Sequence, residues 1–285
     1  MTDLPIKKIY IDTQFKSTNS VSNSNFKIDL PFTVSFPENS VFYIDDVSIP
    51  HSWYVIEAGV NDKLYIFVAN LTVEAERAYS IVVIPPGNYV GATLATAIED
   101  EITRALTSTA VSAPNLISAS YDASLNTITL EADIDGWAFQ ILTPNDIISN
   151  LNGTWGGTPI NIGDPQDINE VIGNITGTSD LYARDEPFRS NGGINLQTIR
   201  NLYIHSSLGN YGTIGPRGET TIIKKVSVSA NKGEVIFDNV LVAYDFGDCS
   251  KQSLRTIIFE IKDARGNFIN FHGSNLSFSI VFSRA

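Results

Sequence analysis

Along most of the chain, apolar and polar residues alternate one by one. In Phe26-Lys27-Ile28-Asp29-Leu30 every second residue is apolar, so an extended chain buries one face and wets the other. Pro31 follows and weakens pairing, because its nitrogen carries no proton to donate. Val41 to Ile49 reads as the next strand. Its acid pair Asp45-Asp46 interrupts the alternation and predicts a bulge, and Pro50 ends it. Lys63 to Ala69 sets Leu64, Ile66 and Val68 on one face, and Tyr79 to Ile84 follows an acidic turn containing Glu74 and Glu76, which predicts a hairpin.

One segment changes period. After Ile84-Pro85-Pro86-Gly87-Asn88-Tyr89, the residues Leu94, Ile98, Ile102 and Leu106 recur every four positions, a spacing that keeps them on one stripe of a helix. An amphipathic helix is predicted from about Ala92 to Leu106, with Glu99, Asp100, Glu101 and Arg104 on its wet side. That polar face is acidic where a membrane-surface helix is basic, so the helix is expected to pack on its own domain. Leu116 to Tyr121, Asn126 to Ala132 and Trp137 to Leu142 read as strands, and Thr143-Pro144-Asn145-Asp146 starts a short helix ending near Asn150.

From Gly153 to Gly193 the chain carries eight glycines and several turn-forming segments, and reads as a long loop lying across a neighbour or a surface. Strands then return at Ile194 to His205, Thr220 to Ser229, Glu234 to Tyr244, Leu254 to Lys262 and Leu276 to Phe282. With Ile9 to Asp12, Phe26 to Val34 and Val41 to Ile49 they make eight, the strand number of a jelly roll. The expected fold is mainly β: a single jelly-roll β-sandwich with a small α+β insertion domain. Residues 1–59 and 185–285 are assigned to the jelly roll, 60–152 to the insertion and 153–184 to a glycine-rich connecting loop. Two sequential domains would require the first three strands to form a core alone, and three strands rarely suffice.

Composition narrows the function. The 285 residues are 43% hydrophobic, enough for one large core or two modest ones. A formal charge of −12 repels phosphate backbones, so no specific nucleic-acid binding is expected. Residues 1–199 hold 9 Lys/Arg against 24 Asp/Glu, and residues 200–285 hold 10 against 7, so the acidity is uneven. Cys249 is the one cysteine, which allows no internal disulfide. Neither a secretory h-region nor a run of about 18 apolar residues is present, so intracellular synthesis without secretion, and no membrane span, are expected.

Catalytic constellations are missing from the sequence. There is no G-x-S-x-G, no G-x-x-x-x-G-K-[ST] and no H-E-x-x-H, and His51, His205 and His272 stand apart, so no catalytic residue, cofactor or metal ligand is assigned. Asp248 beside Cys249 raises the thiol pKa and works against nucleophilic use. The most unusual loop runs from Gly209 to Gly218, with four glycines, Tyr211 and Arg217 in ten residues. Tyr and Arg are enriched at protein interfaces, so this loop is read as a contact surface.

Several strings resemble the single jelly-roll penton, or minor capsid, proteins of virophages and Polinton-like viruses. They are Ile84-Pro85-Pro86-Gly87-Asn88-Tyr89 leading into the Leu94/Ile98 helix, Asn201-Leu202-Tyr203-Ile204-His205-Ser206 followed by Gly209-Asn210-Tyr211, and Arg217-Gly218-Glu219 before Ile222-Ile223-Lys224-Lys225. The turn Asp263-Ala264-Arg265-Gly266-Asn267 and the strand Ser277-Phe278-Ser279-Ile280-Val281-Phe282 complete the resemblance, which spans about residues 60–285. It implies a homopentamer at each icosahedral vertex of the virion, closing the gap between trimers of a double jelly-roll major capsid protein, with no enzyme activity. Asn210, Tyr211, Arg217, Glu219 and Arg265 are the candidate subunit-interface residues. Lys224, Lys225 and Arg255 are the basic residues that an inward-facing sandwich would turn to a genome. The rival reading is a carbohydrate- or receptor-binding β-sandwich module using Trp53, Trp137 and Trp155 as stacking platforms.

Overall fold

The computed structural model describes residues 7–109, 111, 115–142, 154–155, 158–159, 167–174, 180–209, 212–240 and 245–284. The short helix expected at 143–150 lies outside them. Two compact units form, Met1–Trp53 with Ile199–Ala285, and Tyr54–Thr198. The first begins with β1 (Lys7–Asp12), β2 (Asn25–Ser35) and β3 (Ser40–Pro50). The second contains β4 (Lys63–Asn70), β5 (Arg77–Val83), α1 (Gly91–Thr107), β6 (Ile117–Asp122), β7 (Thr127–Ala132) and β8 (Trp137–Leu142). It continues with β9 (Thr154–Trp155), β10 (Thr158–Pro159), α2 (Asn169–Ile172), β11 (Tyr182–Ala183) and β12 (Phe188–Arg189). The chain returns to the first unit with β13 (Asn201–Ser206), β14 (Ile222–Ser227), β15 (Val235–Asp238), β16 (Gly247–Asp248), β17 (Ser253–Lys262) and β18 (Ser277–Arg284).

The first unit is an antiparallel sandwich. One sheet runs β1-β18-β3-β15, with β16 also on β3, and the other runs β14-β13-β17-β2. Counting its eight principal strands in chain order, the sheets read first-eighth-third-sixth and fifth-fourth-seventh-second, the strand order of a jelly roll. The inward residues of both sheets meet in one core. Phe26 and Phe259 come from one sheet and Phe278 from the other, with ring centroids 5.3, 6.5 and 5.1 Å apart. Aromatic pairs at this spacing add to the stabilisation that burial already provides.

Local irregularities fall where the residue types place them. Across β3 and β18, Ser279 faces Asp46 but Ile280 faces Ile44, so Asp45 is the extra residue of a bulge. Ser279 donates its hydroxyl proton to the Asp46 carboxylate. Pro31 sits in an edge strand, inside the stretch where the β2–β17 register shifts.

In the second unit the sheet β11-β8-β4-β5 and the sheet β12-β7-β6 share a core with α1. Leu94, Ile98, Ile102 and Leu106 are all buried, as their spacing predicts. Thr93 caps the helix start by accepting the Val90 N–H at 3.0 Å. Two of the residues expected on the wet side of α1 are engaged instead. Glu101 is only 9% exposed and pairs with Arg104 one turn on, while Glu99 accepts the Ala119 N–H of β6 at 2.8 Å. The acidic face of the helix therefore anchors it to a strand.

The described part of the glycine-rich segment carries α2 and short strands. Ile168, Val171 and Ile172 are buried in the core of this unit, and Ile168 N–H donates to the Lys63 carbonyl at 2.8 Å. Gly173 ends α2 with φ +76°, and a Cβ there would lie 2.3 Å from the Gly192 carbonyl oxygen. That close approach is what lets Gly192 N–H reach the Gly173 carbonyl at 2.9 Å. The strand expected from Ile194 begins only at Asn201, because Ile194 and Leu196 pack into the core of the second unit. The strand expected from Glu234 to Tyr244 is Val235–Asp238, with 241–244 outside the described residues.

Two substitutions test this architecture by chemical denaturation. Phe278→Ala is expected to cost about 3–5 kcal/mol of stability, the usual range for truncating a buried phenylalanine. Gly173→Ala is expected to cost about 1–3 kcal/mol through left-handed backbone strain and the clash with Gly192. A midpoint unchanged by either one contradicts the packing described at that position.

Candidate interaction site

Two connections of the first unit meet. The β13–β14 connection carries Arg217 and Glu219, and the turn after β17 carries Arg265. Gly215 N–H donates to the Glu219 carbonyl at 2.7 Å, Gly218 N–H to the Gly215 carbonyl at 3.0 Å, and Arg217 N–H to the Glu219 carboxylate at 2.8 Å. These bonds close a tight turn. In the other turn, Asp263 accepts the N–H groups of Arg265 at 2.8 Å and Asn267 at 2.9 Å. Arg217 then donates from Nη1 to the Arg265 carbonyl. Gly266, at φ +86°, leaves room for that guanidinium, since a Cβ there would lie 2.2 Å from Nη1.

Three of the five candidate interface residues, Arg217, Glu219 and Arg265, are therefore brought together. Asn210 and Tyr211 lie outside the described residues. The Glu219 carboxyl is held below the usual carboxylate range by its own backbone N–H and that of Arg217, with the Arg217 charge adding to the effect. Nearby, buried His205 sits 3.0 Å from the Thr221 hydroxyl, and burial, helped by Lys262, lowers its pKa. The cluster offers charge and backbone for recognition on a braced turn.

Lys224 is not a surface base for a genome. Its side chain is 5% exposed, donates to the Val240 carbonyl, and lies 3.7 Å from the carboxylates of Asp238 and Asp245. It helps line a cavity of about 540 Å³ with Phe42, Ile223, Phe246 and Asp248. The signal was in the alternation: Lys224 shares the parity of buried Val226 on β14, whereas Lys225 points outward.

The other candidates resolve plainly. Trp53 and Trp137 are each 4% exposed, so neither presents a ring face to a sugar, and Trp53 packs 4.2 Å from the His51 ring. The Trp155 side chain lies outside the described residues. Among the described residues no three His, Cys, Asp or Glu side chains gather as metal ligands, and no helix is long and apolar enough to cross a membrane.

Cys249 is fully buried, and burial first, then the Asp248 charge, push its thiol pKa up to about 11. At pH 8 only about one thiol in 10³ is then ionised, too few for ready alkylation. Iodoacetamide is expected to leave Cys249 unmodified in the native protein and to label it after unfolding. Rapid native labelling, read by mass spectrometry, contradicts this burial.

No family model matches the chain, and no curated protein matches it. Among the solved structures similar to it are two virophage proteins. The crystal structure of the selenomethionine-labelled mavirus penton protein matches with a TM-score of 0.49 and 8% identity, covering 98% of this chain and 100% of that one. The 3.5 Å cryo-EM structure of the Sputnik virophage matches with a TM-score of 0.43 and 13% identity, covering 97% of this chain and 98% of that one.

Proposed function

We propose that the chain is a structural virion protein, a penton or minor capsid protein whose pentamers close the icosahedral vertices of a capsid built from double jelly-roll major capsid trimers. The observation that carries this reading is the jelly-roll strand order, interrupted between its third and fourth strands by an α+β unit. The residues resembling virophage and Polinton-like penton proteins supply the family. The reading needs no catalytic step, cofactor or metal.

Charge supports a division of labour. The second unit holds 5 Lys/Arg against 18 Asp/Glu, a balance of −13, and the jelly-roll unit holds 14 against 13, a balance of +1. Insertions of that charge repel one another in a ring of identical copies, so the near-neutral jelly roll is the unit suited to subunit contacts. The braced Arg217–Glu219–Arg265 turn is proposed as one such contact. The rival carbohydrate-binding module loses the Trp53 and Trp137 platforms to the cores.

Native mass separates the alternatives, because one chain of 31.1 kDa and five, 5 × 31.1 = 155.5 kDa, are hard to confuse. A concentration-dependent species at five copies is expected. Stable dimers or trimers contradict the vertex assignment.

A further inference from the structure

Both edges of the sheet β1-β18-β3-β15 are open among the described residues, since β1 pairs with β18 and β15 pairs with β3. Open edges invite further strands, and proteins that keep them usually have a partner for them or a device that blocks them. Each edge also exposes large apolar side chains on the outer face of the sheet: Tyr10 is 77% exposed on β1, and Val235 and Phe237 are 56% and 61% exposed on β15. Every neighbouring pair in this sheet is antiparallel, and three such steps separate β1 from β15, so the two edges run antiparallel to each other.

We propose that β1 of one copy pairs with β15 of the next, continuing this sheet from subunit to subunit around the ring; the proposal rests on the capsid reading above. Matching inward to inward residues sets Ile9 opposite Ile236. Antiparallel pairing then places Tyr10 opposite Val235, Lys8 opposite Phe237 and Lys7 opposite Asp238. The register joins Ile9 to Ile236 and Tyr10 to Val235, sets Lys8 against the Phe237 ring, and brings Lys7 to Asp238, which Lys224 of its own chain approaches to 3.7 Å. Pairing β15 with itself in the same sense instead opposes Glu234 to Asp238, two like charges. Lys8, whose ammonium pairs with Asp45 at 2.5 Å, lies 5.2 Å from the Tyr10 ring, so a cation already stands against an aromatic ring on this face. A contact between two different edges of one surface is heterologous, the kind that closes a ring rather than a twofold dimer.

The test is the double variant Tyr10→Cys/Val235→Cys, oxidised at ring-forming concentration. Both positions are exposed, so folding is expected to survive. Within one chain the two are three strand spacings apart, roughly 14 Å, which is beyond disulfide reach. Covalent ladders ending at five are expected on a non-reducing gel, with neither single variant cross-linking. A pentamer by native mass without cross-links overturns the edge pairing and leaves the ring standing. Ladders running past five without closing support the edge pairing and contradict the fivefold reading. Dimers from Tyr10→Cys alone mean that β1 pairs with itself, which overturns the proposal. A chain that neither associates nor cross-links overturns both.

Discussion

The structure of the jelly-roll unit depends on the contact between the inward faces of its two sheets. The phenylalanines at 26, 259 and 278 come from both sheets and from strands far apart in the sequence, so the core exists only once β2, β17 and β18 are all in place. Non-local pairings of this kind carry a loop-closure cost that local pairing avoids. β3 ends at Pro50 and β13 starts at Asn201, and between them the chain builds a second unit with a core of its own. The jelly roll tolerates so long an excursion because the free-energy cost of closing a loop rises only slowly with its length.

That division also separates electrostatics from packing. The whole negative balance sits on the inserted unit, and the jelly-roll unit is near neutral. A near-neutral sandwich with open edge strands suits contact between identical copies. In the jelly-roll unit Lys224 is paired inside the fold with Asp238 and Asp245, while Lys7 and Lys8 on β1 stand at the sheet edge opposite to β15.

Alternation, read with the turn residues between runs, located the eight jelly-roll strands though not the bounds of β13 and β15, and the acid pair of β3 marked its bulge, because a half-buried strand writes its two faces directly into the sequence. The four-residue stripe located α1 for the same reason. What alternation could not show was the partner of each polar group. Glu101 and Lys224 are charged by type but buried by position, held by Arg104 in one case and by two aspartates in the other. The segment around α2 was hidden because three buried apolar residues among glycines make too short a signal to outweigh the turn residues beside them. In the candidate site the glycine content singled out the Gly209–Gly218 loop. The bond from Arg217 to Arg265 joins residues 48 positions apart, and no local pattern encodes it.

The way copies of this chain arrange themselves separates a vertex ring from any other role. Electron microscopy of the purified protein at assembling concentration reads that symmetry directly. Class averages with five equivalent lobes, and a map in which one sheet passes continuously from β1 of one copy to β15 of the next, are the expected result. Averages with twofold or threefold symmetry contradict it.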